Sequence, residues 1–393
     1  RLFVKYFFLF VVVCAYAVIP EKVILCGVCK DVEPQLPFTI QIMERIGALF
    51  EDYQIIVYEN NSADLTKKYL TAWAQNNLKV FVKMEKIPPK DLREMAVNCQ
   101  KMSEEELKEI AFPIISAEDD SEWDDVFHSE QQLVRKILRQ YPNCANYCGM
   151  TRVEAIARAR NIVLEYALSD AYEEYPYIIW IDMDFKEVFV EEAFQEIFAN
   201  KENWDAVFAN GITHSGKYFD WFAFRDLKIL PLGPEVIPQV DWKNRSSLEF
   251  LEGQWYPVIS AFGGLGVYKK AAVRECRYSS FVTPEWEEIT KEWMQAFPEH
   301  PMVLEYQKQL QNDHRIVKID APLPGLLEIY DPQVGIILSN DPDPIVWRMV
   351  HRVFSYQYPC ICEHVALHAS MIARGYNRFF IHPKMVCLYE IQK

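Results

Sequence analysis

Tyr177-Ile178-Ile179-Trp180-Ile181-Asp182-Met183-Asp184 is the stretch that decides how this chain is read. Five apolar residues in succession, β-branched or aromatic, fit a strand buried on both faces inside a parallel sheet. The run ends in acid. In extended backbone, residues i and i+2 point to the same side, so Asp182 and Asp184 offer two carboxylates in one direction at the strand end. Two hard oxygen ligands placed this way can share one Mg²⁺ or Mn²⁺, cations that keep positions open for substrate phosphates. An Asp-x-Asp alone is common, and a strand end with two solvated acids explains it equally well. Its weight comes from its surroundings.

Upstream, Val23-Ile24-Leu25-Cys26-Gly27 reads as a buried strand opening onto the polar loop Cys29-Lys30-Asp31. A helix follows, with Phe38, Ile42, Ile46 and Leu49 at three- and four-residue intervals and Pro34 and Pro37 near its start. Gln54 to Tyr58 is a second strand that opens onto Glu59-Asn60-Asn61-Ser62, with Ser62 expected to cap a helix beginning near Asp64. A third strand is expected at Leu78 to Val82. Strand, helix, strand, helix, strand at this spacing predicts an α/β fold around a doubly wound, mostly parallel sheet, whose ligands settle beyond the carboxyl ends of the strands.

Residues 87–140 change character. Charged helical stretches flank the acidic run Glu118 to Asp125, which reads as a helical insertion with a solvated face. A helix from Arg152 to about Leu168 then leads into the central strand. Further strands are expected at Ala206 to Phe208, Phe222 to Phe224, Gly335 to Leu338 and Arg378 to Ile381, and a helix from Glu363 to Arg374 closed by Gly375. With no repeat and no linker, residues 21–393 are expected to form one domain.

Residues 1–20 read as a signal peptide or signal-anchor: a basic start, an apolar run from Tyr6 to Ile19, and Ala15-Tyr16-Ala17 at cleavage spacing. That places the protein in a secretory lumen or a bacterial envelope, or outside the cell, with membrane association through the N-terminus. The formal charge of −15 repels phosphate backbones and argues against nucleic-acid partners. An acidic protein that handles a nucleoside diphosphate must therefore neutralise it locally. The ten cysteines form no pair of matched zinc motifs; Cys26 and Cys29 read as core thiols, while Cys144 with Cys148, or Cys360 and Cys362, are the places for oxidation in an exported chain.

The order of these motifs resembles that of GT-A nucleotide-diphospho-sugar transferases, and more loosely the fungal capsule-associated mannosyltransferases and related viral and bacterial enzymes. The likeness runs from about Glu21 to Leu388. It implies a GT-A, Rossmann-like fold and a metal-dependent hexosyltransferase that moves a sugar from a GDP- or UDP-sugar donor to a glycan or glycoconjugate hydroxyl, with Mn²⁺ or Mg²⁺ as cofactor. Carried onto this sequence, the base and ribose fall to Cys29, Lys30 and Asp31 and to Glu59, Asn60 and Asp64. The segment Thr151 to Asn161 resembles the helix before the metal motif, in which Arg152 or Arg160 would reach a phosphate while Arg158 points elsewhere.

The resemblance continues downstream. Phe219 to Asp226 resembles the acceptor-side strand, with Asp220 as a catalytic candidate, and Ala261 to Tyr268 resembles the glycine loop against the donor sugar, with Gly263 and Gly264 admitting close backbone approach. Glu363 stands where the acceptor's general base would lie. His364 occupies a place where Asp is usual, and His364 or His382 is the implied further metal ligand beside Asp182 and Asp184.

Two rival classes share some of these features. A HAD-like phosphohydrolase also ends an apolar strand in Asp-x-Asp, but here the pair lies mid-chain and Lys186 follows it. An exported carbohydrate-binding protein would suit the aromatic content, yet leaves the ordered set of loops unexplained. Asn60-Asn61-Ser62 and Asn244-Arg245-Ser246 fit the N-glycosylation pattern, and the first would put a glycan in the expected base pocket.

Overall fold

The computed structural model describes residues 17–86, 152–184, 187–213, 216–227, 232–233, 253–280, 283–304, 307, 329–331, 335–337 and 361–389. The expected insertion at 87–140, residues 1–16 of the leader, Cys144, Cys148 and Cys360, and the second sequon lie outside them. The strands are β1 (Ile19–Cys29), β2 (Phe50–Asn60), β3 (Val80–Glu85), β4 (Tyr177–Ile181), β5 (Glu187–Phe189), β6 (Ala206–Thr213), β7 (Tyr256–Val258), β8 (Leu265–Lys269), β9 (Ile329–Asp331), β10 (Gly335–Ile337) and β11 (Phe379–Tyr389). The helices are α1 (Leu36–Gly47), α2 (Thr66–Asn76), α3 (Arg152–Ala167), α4 (Glu191–Ala199), α5 (Lys270–Val273), α6 (Pro284–Ala296) and α7 (Glu363–Ala373).

Nine strands form one sheet in the order β3-β2-β1-β4-β8-β6-β11-β5, with β7 also paired to β11. β3, β2, β1 and β4 are mutually parallel, as are β6 and β11, whereas β8, β5 and β7 run the other way. The sheet is thus mixed and mostly parallel. β9 and β10 make a separate antiparallel pair. β4 takes a central place because all five of its residues are buried, so it loses nothing by having a neighbour on each edge and a helical layer on each face.

Alternation along the strands divides the core into two apolar layers. Ile24, Ile56, Ile178 and Trp180 face one layer with Val163 and Leu164 of α3 and Val365 and Leu367 of α7. Val23, Leu25, Ile55, Ile179 and Ile181 face the other with Met43 of α1, Trp73 of α2 and Phe194 of α4. Met183 continues the second layer beyond the strand end. Asp182 therefore leaves the strand toward α3, where it meets Arg160, and the chain bends at Met183 and Asp184.

Several elements differ from their expected extents. β1 begins at Ile19, so the last two residues assigned to the leader belong to the sheet. Among the described residues no helix is long and apolar enough to cross a membrane. β3 starts at Val80, and Leu78 is fully exposed just before it. Phe38 is 60% exposed, because Leu36, Ile42, Met43 and Ile46 supply the buried face of α1. Ser62 does not cap α2; its hydroxyl accepts from the Asp31 amide, while Asp64 accepts from the Thr66 amide. Phe222 to Phe224 is a turn, not a strand: the chain folds back on itself, Trp221 N–H bonding to the Phe219 carbonyl, and only Arg225 bridges to Ser260. β11 runs eight residues further than expected, through a register shift between His382 and Val386. Cys26, Cys29, Cys276, Cys362 and Cys387 are buried free thiols.

Candidate active site

The neighbours of β1 lie on opposite sides, β2 on one and β4 on the other, so the loops leaving β1 and β4 diverge at their carboxyl ends. A crevice opens at such a point in an open α/β sheet. Here it is a cleft of about 1110 Å³, reached by Lys30 and Asp31 after β1, Asp182 and Asp184 after β4, Arg160 of α3 and Glu363 of α7. Asp220, His364, Phe219 and Tyr389 complete the side away from β2. A smaller recess of about 120 Å³ also touches Lys30, Arg160, Asp182 and Asp184, and its further lining includes Cys29, Asn60 and Met183.

Asp182 is held at both oxygens. Arg160 Nη2 donates to Oδ1 at 3.0 Å and the Tyr389 hydroxyl donates to Oδ2 at 2.9 Å. Its amide donates to the Gly264 carbonyl at 2.9 Å. Arg160 also donates from Nε to Glu363 Oε1 at 3.2 Å, so one buried guanidinium ties two carboxylates from β4 and α7 together. Its Cζ lies 4.8 Å from the Phe262 ring centre and 5.2 Å from that of Trp180, cation–π contacts that suit a desolvated cation. Burial disfavours the Arg160 charge, but Asp182 and Glu363 outweigh it and its pKa is raised. Burial, with the Asp182 charge beside it, holds the Tyr389 phenol well above its ordinary value, so it stays a donor.

Asp220 accepts from the amides of Gly263 at 3.0 Å and Ala223 at 3.3 Å. Burial at the cleft floor pushes its pKa up to about 6; Asp182 and Glu363 add to the shift, and the two amides oppose it. His364 stacks on Phe262 at 3.8 Å between ring centres. Burial and the nearby Arg160 charge drive its pKa well below the ordinary value, so the imidazole is neutral, and neither ring nitrogen has a hydrogen-bond partner among the described residues.

The loops after β1 and β2 brace one another. Asp31 N–H donates to Ser62 Oγ at 3.0 Å and Ala63 N–H to Asp31 Oδ1 at 2.6 Å. Glu33 N–H donates to Asp64 Oδ2 at 3.0 Å. Asp31 and Asn61 take left-handed backbone, φ 52° and 54°, a region Asp and Asn tolerate better than most residues.

The structure thus brings Lys30, Asp31, Arg160, Asp182, Asp184, Asp220, Glu363 and His364 to the large cleft, and Cys29 and Asn60 to the recess. Asn60 Nδ2 is buried without a partner among the described residues. Burial raises the Cys29 thiol, which leaves it neutral. Others lie elsewhere. Glu59 is fully buried and accepts from the Ser62 amide, and Asp64 serves as a loop brace. Gly263 and Gly264 stand behind the cleft wall: with φ of 64° and 92°, a methyl group on either would collide, on Gly263 with the Ala209 carbonyl and on Gly264 with the Tyr389 hydroxyl. His382 bonds through Nε2 to Glu196 of α4 at 3.1 Å and accepts the Lys384 amide at Nδ1, away from both cavities. Arg152 opens α3, but its side chain lies outside the described residues. Arg158 turns to Tyr58 and Glu85. Tyr389 is the site residue that sequence reading missed: a Tyr ending an apolar strand carries no mark that separates it from core.

Among the described residues no three His, Cys, Asp or Glu side chains converge as a metal cage. The pair Asp182 and Asp184 still fits a hard divalent cation, since Mg²⁺ in particular is commonly held by one or two carboxylates, with phosphate and water completing its shell. A carboxylate oxygen that accepts one hydrogen bond keeps a further lone pair for a cation.

No protein-family model and no curated protein matches the chain. Solved structures show a distant similarity to nucleotide-sugar glycosyltransferases. S. aureus TarS 1-349 in complex with UDP is 10% identical, over 66% of this chain and 50% of that one, with a TM-score of 0.30. The mannosyltransferase PcManGT from Pyrobaculum calidifontis in complex with GDP-Man and Mn²⁺ is 9% identical over 91% and 67%, also at 0.30. Glucosyl-3-phosphoglycerate synthase from Mycobacterium tuberculosis in complex with Mn²⁺, UDP and glucosyl-3-phosphoglycerate is 11% identical over 71% and 66%, at 0.27. The matched part spans 30% of another TarS chain and about half of TarS 1-349. Likenesses this remote assign no activity to the chain.

Proposed function

We propose that the chain is a metal-dependent glycosyltransferase of the GT-A kind, transferring a hexose from a nucleoside-diphosphate sugar to a hydroxyl of a glycan or glycoconjugate. The observation that carries this reading is the placement of Asp182 and Asp184 at the carboxyl end of β4, on the cleft that opens between β1 and β4, with Lys30 and Arg160 beside them. A bound Mn²⁺ or Mg²⁺ supplies charge stabilisation to the departing diphosphate. Asp182 and Asp184 would hold it.

The protein's own groups do the rest. The nucleoside lies across the recess beside Asn60 and the adjoining end of the cleft, and the Asn60 amide, without a partner among the described residues, is a donor for a base or ribose acceptor. Lys30, at the junction of recess and cleft, faces the diphosphate. Asp220 takes the acceptor proton: its pKa of about 6 lies near neutrality, whereas Glu363 is engaged by Arg160. As the acceptor oxygen bonds to the anomeric carbon, the bond from that carbon to the phosphate oxygen breaks. Its electron pair leaves with the diphosphate and the hydroxyl proton passes to Asp220. With the apolar leader, the reading extends to an exported or membrane-tethered enzyme.

The test is a thermal-shift and hydrolysis screen of GDP- and UDP-sugars with Mn²⁺. One donor is expected to raise the melting temperature and to be slowly hydrolysed. A screen in which no donor stabilises the protein with Mn²⁺ would overturn the reading.

A further inference from the structure

We infer that Tyr389 is the positioning residue for Asp182, and that residue 264 is glycine because the Tyr389 hydroxyl must pass it. The inference rests on the metal-site reading above and adds to it a residue that neither lies near the Asp-x-Asp in sequence nor ligates the ion.

A carboxylate just past a strand end has no ladder to hold its side chain, so its rotamer is set by what touches it. Asp182 is touched from two sides by different elements. Arg160 of α3 donates to Oδ1 and Tyr389 of β11 donates to Oδ2, at 3.0 and 2.9 Å. The backbone is pinned as well, by the Asp182 amide on the Gly264 carbonyl. The same Gly264 is therefore both anchor and passage: a β-carbon there would occupy the place of the Tyr389 hydroxyl. Its φ of 92° is a second reason for glycine.

Tyr389 is itself fixed. Its ring stacks on Phe219 with centres 4.4 Å apart and planes 22° apart, and its backbone lies in the part of β11 beyond the register shift, paired with Thr213. A one-residue slip of that segment would turn the side chain to the opposite face of the sheet and carry the hydroxyl away from Asp182. The strand irregularity, the glycine and the stacked ring together deliver one hydrogen bond to one carboxylate oxygen. A ligand oriented in advance binds metal more tightly than one that must be immobilised on binding, and loss of such an outer partner costs roughly 10- to 100-fold in affinity.

The experiment uses Mn²⁺ alone, titrated into the full chain and followed by the electron paramagnetic resonance signal of the free ion, beside melting temperature. Tyr389→Phe keeps the ring on Phe219 and removes only the hydroxyl; it is expected to weaken Mn²⁺ binding about 10-fold with little change in melting temperature. Gly264→Ala, which displaces the hydroxyl and also strains the backbone that anchors the Asp182 amide, is expected to weaken binding at least as much, and carries the test should the first variant not fold, unchanged affinity there counting against the inference. Wild-type affinity in a folded Tyr389→Phe protein, or a lowered melting temperature with unchanged affinity, would refute the positioning role while leaving the metal site standing. A wild-type protein that binds no Mn²⁺ would remove the metal site and this inference together.

Discussion

Asp220 is caught between opposing influences. Burial and the charges of Asp182 and Glu363 disfavour its ionised form, while two backbone amides favour it, and the balance leaves its pKa near 6. An unfolded Asp titrates near 3.9, so between about pH 4 and pH 6 the folded protein binds more protons than the unfolded one. Stability therefore falls as pH rises through that window and stays lower above it. In metal-free protein, Asp220→Asn is expected to lack this fall, gaining up to about 2–3 kcal/mol on the wild type between pH 4 and pH 7. Denaturant titrations that give parallel pH profiles for the two proteins would contradict the assignment. At this scale the sequence was informative where chemistry and spacing coincide: Asp182 and Asp184, two acids just past an apolar strand, both line the cleft. It was silent on Tyr389, whose role depends on a register shift and on the absence of a side chain at Gly264. Gly263 and Gly264 were legible as residues that admit close approach, but what approaches is a backbone carbonyl and a tyrosine hydroxyl of the protein itself.

Elements keep the cleft open by holding its walls in register. Glu44 of α1 is the joint between α1, α2 and β2: it accepts from Trp73 Nε1 and Asn77 Nδ2 at 2.6 Å and from the Tyr53 hydroxyl at 2.7 Å. Burial alone would raise its pKa; the three hydrogen bonds outweigh burial and hold it below the usual carboxylate range. Its contribution is then present above about pH 4.3, the unfolded value, and is lost as pH falls through the lower folded value. Glu44→Ala is expected to cost about 2–4 kcal/mol at pH 7, since three donors lose a charged acceptor. The cost should shrink toward pH 3. A loss under about 0.5 kcal/mol at pH 7, the range of an ordinary surface change, would show that the joint bears no load. The long central elements were legible because their apolar periodicity is local: β4 is where Tyr177 to Ile181 put it, and α3 ends within a residue of its expected end. The turn at Phe222 to Phe224 was not, because three residues with two aromatics fit a strand as well as a turn, and only the fold-back of the Trp221 amide onto the Phe219 carbonyl decides between them.

Taken whole, the molecule is acidic and turns several of its carboxylates toward one cleft. A nucleoside diphosphate is repelled by such a surface unless a cation intervenes, so metal and nucleotide are expected to bind as linked ligands. The direct measurement is calorimetric titration of GDP and UDP into the protein with Mn²⁺ and with a chelator, for the wild type and for Asp184→Asn. The account predicts that at least one nucleotide binds the wild type only with Mn²⁺, and that it stabilises the fold by about 2.7 kcal/mol at a hundredfold excess over its dissociation constant. Asp184→Asn should remain folded and lose this binding. Nucleotide affinity that is equal with and without Mn²⁺, or that survives Asp184→Asn, would contradict it.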